Sequence, residues 1–350
     1  MRIDLPYRRM LLLTEGLLGP FSSKTAACLL RYRGDDCVGV LDSTAAGKPL
    51  PSFLPLAPDR PIVASVEDAS PLEPDALAIG VAPTGGALPD AMRRHVCEAL
   101  AAGLSVINGL HTLLRDDPEF VALAERSGAM LHDVRDPGPI RHIAAGRSRA
   151  SKAKRVLTVG TDSSVGKMIT ALELRDEARR AGLDAAFVPT GQTGIMVEGW
   201  GIALDHVLSD FTAGAAELLV EHVAACQLCI VEGQGSIGHP AYSGPTLSLL
   251  HGVCPDVMIM CHRPDRIIHG KWPDCPVAPI RQQIELYEAI LAPLHPGKVV
   301  AIAVNTVGME DAAAREAIEH VANETGLPAA DPIRNGCVTL LAAVRNHVGL

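Results

Sequence analysis

The residues with the clearest chemical potential form a glycine-rich loop between a predicted strand and a predicted helix. Its sequence, Gly-Thr-Asp-Ser-Ser-Val-Gly-Lys, runs from Gly160 to Lys167. Glycines let backbone N–H groups turn inward, the start of a helix adds positive potential, and the lysine adds a full charge. The loop therefore predicts a site for the polyphosphate of a nucleotide-like ligand. The predicted cofactor-binding residues of this loop are Gly160, Thr161, Asp162, Ser163, Ser164, Val165, Gly166, Lys167 and Met168.

The loop departs in two ways from the common phosphate-loop pattern G-x-x-x-x-G-K-[ST]. Five residues, not four, separate Gly160 from Gly166, and Met168 follows the lysine. In proteins that use ATP or GTP, the hydroxyl after the lysine coordinates the metal between the terminal phosphates. Methionine cannot do this, and Thr170 is too far round the helix to replace it simply. The site is expected to hold a polyphosphate without metal-assisted cleavage, and no metal ligand is predicted.

A regular alternation of strands and helices surrounds this loop. Strands are predicted at 156–159, 185–188, 228–231, 257–260 and 299–304. Helices are predicted at 167–181, 213–225, 281–291, 312–324 and 338–346. Such alternation implies right-handed crossovers and a parallel sheet with helices on both faces.

The N-terminal part shows the same rhythm. Strands are predicted at 38–41, 77–81 and 105–108, and a helix at 89–101. The first two strands end in Asp42-Ser43 and Thr84-Gly85-Gly86, which are either ligand-binding loops or tight turns. The predicted fold class is α/β, with an N-terminal Rossmann-like domain over residues 1–145. A C-terminal domain over residues 146–350 is predicted to be a P-loop NTPase-like parallel sheet.

A basic stretch separates the two predicted domains. The breaker Asp136-Pro137-Gly138-Pro139 precedes it, and its charged residues are Arg141, Arg147, Arg149, Lys152, Lys154 and Arg155. This composition favours a linker in the form of a solvated hinge. The alternative is a segment that helps to attract an anionic ligand.

Composition favours aliphatic cores and excludes some partners. Of 350 residues, 48 % are hydrophobic and only 3 % aromatic, which suits parallel sheets covered by helices. A net charge of −9 gives no general attraction to nucleic acid or to anionic membranes. The apolar run Met10–Leu13 is too short for a signal sequence or a membrane span. A cytoplasmic location is expected because the cysteines are interpreted as reduced core thiols.

The nine cysteines lie in apolar stretches, which is typical of reduced core thiols. Cys226 and Cys229 have the spacing of metal ligands, and Cys254, Cys261 and His262 follow. Because Cys229 lies in a predicted strand, where alternate side chains face opposite ways, buried packing is favoured over zinc or redox chemistry.

Three strand-end motifs resemble those of dethiobiotin synthetase and its cobyrinic acid synthase relatives. They are the glycine loop, the Ile-Val-Glu-Gly-Gln-Gly of 230–235 and the Ala-Val-Asn-Thr of 303–306. In that superfamily the glutamate helps to hold magnesium and the asparagine meets the adenine. The resemblance therefore implies a site role for Glu232 and cofactor binding by Asn305.

A second resemblance covers the whole chain. The loop with its Met168, Thr-Gly-Gln-Thr-Gly-Ile (190–195), Asp-Phe-Thr-Ala-Gly-Ala-Ala-Glu (210–217) and Glu-Gly-Gln-Gly-Ser (232–236) are similar to one bacterial family. That family was formerly one of unknown function and includes the D-glutamate N-acetyltransferases (DgcN-like). The resemblance implies acetyl transfer from acetyl-CoA to the amine of D-glutamate or a related D-amino acid. Coenzyme A would supply a pyrophosphate that only has to be held.

Acetyl transfer to an amine requires a base, and three side chains are candidates. Glu232 is the first, with a loop-holding carboxylate as the alternative interpretation. Asp210 is a second candidate, or else caps a helix that starts near Phe211. His239 could act as an acid or a base, or could be a mobile surface histidine.

Binding of the acceptor and of the thioester oxyanion is predicted on three segments. Backbone N–H groups of 233–235 or 190–194 could form an oxyanion pocket, with tight turns as the alternative. His262, Arg263 and Arg266 follow a strand end, where arginine can pair with a carboxylate or form a surface ion pair. The predicted substrate-binding residues are Thr190, Gln192, Thr193, Gly233, Gln234 and Arg263.

Two other functions compete with the acetyltransferase. One is an ATP/Mg-dependent ligase or kinase-like enzyme of the dethiobiotin synthetase type, against which Met168 counts. The other is a non-catalytic nucleotide or CoA sensor. Resemblance to the dimeric synthetases implies a homo-oligomer of two or more chains, with acetyl-CoA as co-substrate.

Overall fold

The computed structural model describes residues 5–83, 85–270 and 272–350. The chain divides into two compact units. The first contains residues 5–137 and 195–203, and the second contains residues 138–194 and 204–350. Each unit is built on a six-stranded sheet.

In the first unit the strand order is β3-β2-β1-β4-β5-β6, with parallel pairing throughout. The strands are β1 Met10–Leu13, β2 Cys37–Leu41, β3 Ile62–Val63, β4 Ala76–Ile79, β5 Ser105–Asn108 and β6 Leu131–Asp133. The helices are α1 Lys24–Tyr32, α2 Asp90–Ala101 and α3 Pro118–Ser127. This is the doubly wound order of a Rossmann-like fold, so the predicted class is confirmed for this unit.

The loop after β2 is a tight turn. The buried carboxylate of Asp42 accepts hydrogen bonds from the Thr14 hydroxyl and Gly16 N–H at 3.0 Å, and from Thr44 N–H at 3.1 Å. Of the two interpretations of this loop, these bonds favour the structural one. The other predicted turn includes Thr84, which lies outside the described residues.

In the second unit the strand order is β14-β13-β10-β7-β9-β8, again parallel. The strands are β7 Lys154–Gly160, β8 Ala185–Val188, β9 Leu228–Val231, β10 Val257–His262, β13 Lys298–Val304 and β14 Ala329–Ala330, and the antiparallel pair β11 Ile268–His269 and β12 Trp272–Pro276 stands apart. The helices are α4 Lys167–Arg180, α6 Ser209–His222, α7 Ser243–Val253, α8 Ile280–Leu291, α9 Asp311–Thr325 and α10 Val338–Val348, and α5 Gln192–Glu198 begins in this unit and continues into the residues of the first. No helix among the described residues combines the length and the apolar character needed to cross a bilayer.

The centre of the second sheet positions the glycine loop. β7 lies between β10 and β9, and its last residue, Gly160, pairs with Cys261 of β10. The segment after β9 passes so close to β7 that a Cβ on Gly233 would lie 1.6 Å from the carbonyl oxygen of Thr158. Only glycine permits this approach, which brings the ends of three neighbouring strands together at one edge of the sheet.

The basic stretch at 141–155 lies within the second unit and is solvated only in part, since Arg141, Arg147, Arg149 and Lys152 are exposed. Arg155 is 2 % exposed within the sheet, and its guanidinium donates to Asp256 Oδ1 at 2.7 Å. Arg147 pairs at 2.9 Å with Glu217, whose carboxylate is buried on α6. The sequence shows the positive charges, but their acceptors lie far along the chain and become neighbours only through the fold.

Glu217→Gln should lower the free energy of unfolding by about 2 kcal/mol, because hydrogen bonds to a charged group contribute about 1.5–3 kcal/mol. Burial alone would raise the pKa of Glu217, but bonds from His142, Ala145 and Arg147 outweigh it and lower the pKa. This stabilisation is therefore present above the usual value of 4.5 and is lost as the pH falls through the folded-state pKa. Urea denaturation of the wild type and of Glu217→Gln, at pH 7 and in acid, should show a difference in the free energy of unfolding that shrinks at low pH. An equal difference at both pH values would contradict this assignment.

The buried cysteines behave as core residues. Burial raises the pKa of Cys229 to about 12 and that of Cys261 to about 11. Because metals and electrophiles react with the thiolate, protonated thiols are poorly suited to either chemistry. The environment of these two residues supports the packing interpretation.

Candidate phosphate-binding site

The glycine loop connects β7 to α4, and side chains of α8 fix the start of it. The Tyr287 hydroxyl donates to the carbonyl oxygen of Gly160 at 3.1 Å, and Gln283 Nε2 donates to that of Thr161 at 3.2 Å. Burial raises the pKa of Tyr287 to about 12, so its phenol keeps the proton that it donates. Carbonyl oxygens held in this way do not turn toward a bound anion, which favours a cradle of N–H groups.

Asn305 supports the other end of the loop. Its Nδ2 donates to the carbonyl oxygen of Val165 at 3.3 Å, and its Oδ1 accepts from Val307 N–H at 3.1 Å. Gly166 has a φ of 110°, a left-handed conformation that favours glycine. Asn305 therefore holds the loop in place, while its contact with an adenine stays a prediction.

The first turn of α4 carries the lysine but no hydroxyl directed toward the loop. The helix begins at Lys167, as predicted, and the ammonium group donates to the carbonyl oxygen of Asp162 at 2.8 Å. Met168 is buried, and the Thr170 hydroxyl accepts from the thiol of Cys261 at 3.5 Å. Thr170 therefore faces a neighbouring strand and does not replace the missing metal-binding hydroxyl.

Glu232 lies directly after β9 and holds the neighbouring segment through its carboxylate. Its Oε2 accepts from Thr190 N–H at 3.0 Å and from Gly191 N–H at 3.2 Å. Gly233 N–H donates to the Thr158 hydroxyl at 2.9 Å. These N–H groups are engaged within the protein, which argues against their use in an oxyanion pocket. The contacts of Glu232 are those of a loop-holding carboxylate, and its role as a base stays a prediction.

The remaining predicted residues of this region line the same strand ends. Gln234 Nε2 donates to the Thr190 hydroxyl at 2.9 Å. Gln192 is half-buried at the start of α5, and Thr193 beside it is buried. Their predicted contacts with the acceptor amino acid stay predictions.

Asp210 does not cap α6, so that interpretation is wrong. The helix begins at Ser209, its N-cap is Leu208, and no side chain caps it by a hydrogen bond. Asp210 is exposed in the first turn, because the helix starts earlier than the sequence pattern suggested. There its negative charge interacts favourably with the positive end of the helix dipole and stabilises the helix.

A cluster of polar residues surrounds the buried carboxylate of Asp162 in the loop. His269 Nδ1 lies 2.8 Å from Asp162 Oδ1, and Arg266 Nη1 lies 3.2 Å from Oδ2. His239 Nε2 is 3.6 Å from Oδ1. Burial lowers the pKa of His239, although the charge of Asp162 opposes this. The surface-histidine interpretation is wrong, since His239 is 1 % exposed.

The segment after β10 has fewer positively charged groups available to bind a substrate carboxylate than the sequence suggested. Arg263 makes a two-pronged pair with Asp265, with distances of 2.6 and 2.8 Å. Burial lowers the pKa of His262 to about 4, so its ring is neutral near pH 7. Its Nδ1 lies 3.1 Å from the Thr161 hydroxyl. These contacts favour the ion-pair interpretation of Arg263, and its role as a clamp stays a prediction.

Sequence reasoning missed three residues that support the loop: Gln283, Tyr287 and His269. Each lies more than 100 positions from the residue that it contacts. No local pattern marks them, because a tyrosine and a glutamine on an amphipathic helix are unremarkable in isolation. The role of Gln283 and Tyr287 follows only from the docking of α8 against the loop, and that of His269 from the position of β11.

Tyr287→Phe should weaken binding of coenzyme A about fivefold while leaving the fold intact. The variant keeps the buried ring but loses the bond to Gly160 and the bond accepted from Ile237 N–H at 3.0 Å, each worth about 1 kcal/mol. A looser loop must then be ordered when the ligand binds. Titration calorimetry tests this, with Tyr32→Phe on α1 as the matched control. Equal affinities in wild type and Tyr287→Phe would show that this hydroxyl does not prepare the loop.

Family comparisons agree with this architecture. The P-loop domain of unknown function DUF1611_C matches residues 142–341, and the Rossmann-like domain DUF1611_N matches residues 43–137. A crystal structure of a DUF1611 family protein from Anabaena variabilis superposes with a TM-score of 0.92 at 40 % identity. The match covers 97 % of this chain and 99 % of that one.

Two curated proteins are similar over most of the chain, and both are named D-glutamate N-acetyltransferase. The protein of Tritonibacter scottomollicae is 39 % identical over 281 residues, which is 80 % of this chain and 84 % of the relative. The protein of a Pseudoalteromonas species is 34 % identical over 348 residues, covering 98 % and 99 % respectively.

Proposed function

The chain belongs to the DUF1611 family, and on that basis we propose that it transfers the acetyl group of acetyl-CoA to the amine of D-glutamate or a related D-amino acid. The chain is an acyltransferase. The observation that carries the finer proposal is the 34 % identity, over 98 % of the chain, with a D-glutamate N-acetyltransferase.

The glycine loop is the proposed site of the coenzyme's pyrophosphate. Lys167 supplies a positive charge, and the loop's first carbonyl groups are held by α8. A pyrophosphate that is bound but not cleaved needs no hydroxyl after the lysine, and Met168 occupies that position. These features support a pyrophosphate that is bound intact and anchors the coenzyme in the loop.

Glu232 is the proposed base for the acceptor amine, with Asp210 and His239 as the other candidates. Its carboxylate is buried at the strand end next to the loop. The N–H groups of Thr190 and Gly191 fix one of its oxygens. In the overall reaction the nitrogen loses two protons: one ends on the coenzyme thiol, and the other reaches solvent.

A thiol-release assay tests this function directly. Full-length protein would be incubated with acetyl-CoA and a panel of D- and L-amino acids, and the N-acetyl product identified by mass. We expect release of free coenzyme A to depend on the amine, with D-glutamate among the best acceptors. Release without an amine, or the same rate with and without D-glutamate, would contradict the proposal.

The P-loop domain also fits, in part, an ATP/Mg-dependent ligase. The same protein should therefore be assayed for phosphate release from ATP with Mg²⁺, with and without D-glutamate. Amine-dependent phosphate release, in the absence of thiol release, would favour that second candidate.

A further inference from the structure

The residues around Asp162 include a set of metal-ligating atoms to which the proposed function assigns no metal ion. Asp162, His239 and His269 each offer one ligand atom, and these three atoms lie within 4.8 Å of one another. All three side chains are buried, at 0, 1 and 2 % exposure. We propose that they form a binding site for one divalent transition-metal ion of the zinc type.

The spacing of these atoms suits a common ion. Two ligand atoms that are each about 2.1 Å from an ion lie roughly 3.0–3.4 Å apart, for angles between 90° and tetrahedral. The distances from Asp162 Oδ1 are 2.8 Å to His269 Nδ1 and 3.6 Å to His239 Nε2. These two distances bracket the expected range, so small side-chain movements would complete the site.

An unsatisfied nitrogen points into the cluster. Within the described residues, His239 Nε2 is buried and has no hydrogen-bond partner. The imidazole ring is held by Tyr242, stacked at 4.5 Å, and by Trp272, edge-on at 4.7 Å. A buried polar atom without a partner is costly, and a ring fixed by aromatic neighbours cannot easily turn toward solvent. A metal ion would use this atom in the orientation that the ring already has.

The donor set selects the kind of ion. Two imidazole nitrogens and one carboxylate oxygen suit zinc and its first-row neighbours, whereas Mg²⁺ prefers oxygen ligands. Three protein ligands leave at least one coordination position open. Asp162 belongs to the glycine loop, so an oxygen of the loop's ligand could occupy that position. The guanidinium of Arg266, on Asp162 Oδ2, provides the outer contact that orients a ligating carboxylate.

Metal binding requires a change of tautomer at His239. The Ala241 N–H donates to His239 Nδ1 at 3.0 Å, so the neutral metal-free ring carries its proton on Nε2. Coordination through Nε2 moves that proton to Nδ1, where it faces the Ala241 N–H and leaves that donor without its acceptor, which lowers the affinity by roughly ten- to a hundredfold. The position of the ring proton of His239 therefore reports directly whether a metal ion is bound at the site.

Metal titration tests the site without reference to the acetyltransferase activity. Chelator-treated full-length protein would be titrated with Co²⁺, followed by its visible absorption, and with Zn²⁺ by equilibrium dialysis. We expect one equivalent per chain, and no displacement by excess Mg²⁺. Binding well below one equivalent, or a cobalt–thiolate absorption band that points to the cysteines, would overturn the proposal.

Two variants identify the ligands. His239→Phe keeps the aromatic contacts and removes the nitrogen, and His269→Asn keeps an N–H donor for Asp162 and removes the ring. Each should weaken Zn²⁺ binding at least about 100-fold, since changes to outer-shell partners alone cost 10–100-fold. His320→Asn, on the surface of α9, is the matched control and should bind as wild type does. If His239→Phe does not fold, His269→Asn alone decides, and wild-type affinity in that variant overturns the proposal.

The tautomer gives a second readout. Long-range ¹H–¹⁵N correlation of the imidazoles should show the His239 proton on Nε2 without metal and on Nδ1 with one equivalent of Zn²⁺. A His239 proton that stays on Nε2 in the presence of bound Zn²⁺ would place the ion elsewhere and overturn the assignment.

Discussion

Lys167→Ala should weaken the binding of acetyl-CoA at least tenfold. The ammonium group lies at the start of α4 and donates to the carbonyl oxygen of Asp162 at 2.8 Å. We expect it to exchange this neutral partner for a phosphate oxygen when the coenzyme binds. A charge-assisted hydrogen bond contributes about 1.5–3 kcal/mol, which corresponds to a tenfold or larger change in Kd. Titration calorimetry with acetyl-CoA measures this directly.

Lys298→Ala is the matched control for that experiment. Lys298 is exposed at the start of β13 and pairs with Glu288 at 2.6 Å, so its loss removes one positive charge elsewhere on the same unit. The control should bind acetyl-CoA as the wild type does. If both variants bind equally well, the lysine of the loop does not hold the coenzyme.

Glu232→Gln should lower kcat by about 10²–10⁴-fold with a modest change in KM, the usual contribution of a general base. Glutamine has nearly the same shape, and its carbonyl oxygen can still accept the bonds from Thr190 and Gly191. The substitution therefore removes the base while it keeps the segment in place. Steady-state thiol release between pH 7 and 9 measures the effect.

The control and the contrary result distinguish a base from a structural carboxylate. Glu319→Gln, exposed on α9, should leave kcat unchanged. A near-normal rate for Glu232→Gln across this pH range would remove Glu232 from the catalytic role. It would leave the residue as the carboxylate that holds the segment after β8.

The elements around the loop could be predicted because their signals are local. Apolar runs marked the strands Ser105–Asn108, Ala185–Val188 and Leu228–Val231 at their observed bounds. The Gly-Lys pair located the start of α4. Parallel strands separated by helices then place these strand ends at one edge of the sheet.

The sequence analysis did not predict the helices α5 and α7. α7 begins with Ser-Gly-Pro, which has the composition of a turn. A proline is tolerated in the first turn of a helix because no intrahelical bond needs its N–H. Packing against α6 therefore decides the conformation where local preference suggests a loop.

The contacts of the charged residues could not be predicted, because they depend on distant partners. The sequence places Arg155 in a solvated charged run, whereas in the structure its guanidinium donates to Asp256. A surface position was one of the two interpretations of His239, whereas in the structure its ring packs against Tyr242 and Trp272. In each case the side chain's chemistry was evident from the sequence, but its environment includes a residue remote in the chain, Asp256 for Arg155 and Trp272 for His239.

A crystal structure of the protein with coenzyme A tests the central claim most directly. The account predicts the pyrophosphate in the loop from Gly160 to Lys167, within hydrogen-bonding distance of its N–H groups and of the Lys167 ammonium, with the anhydride intact. Coenzyme A bound at a different place while the loop holds only solvent would contradict the account. So would a nucleoside triphosphate found cleaved in that loop with its metal.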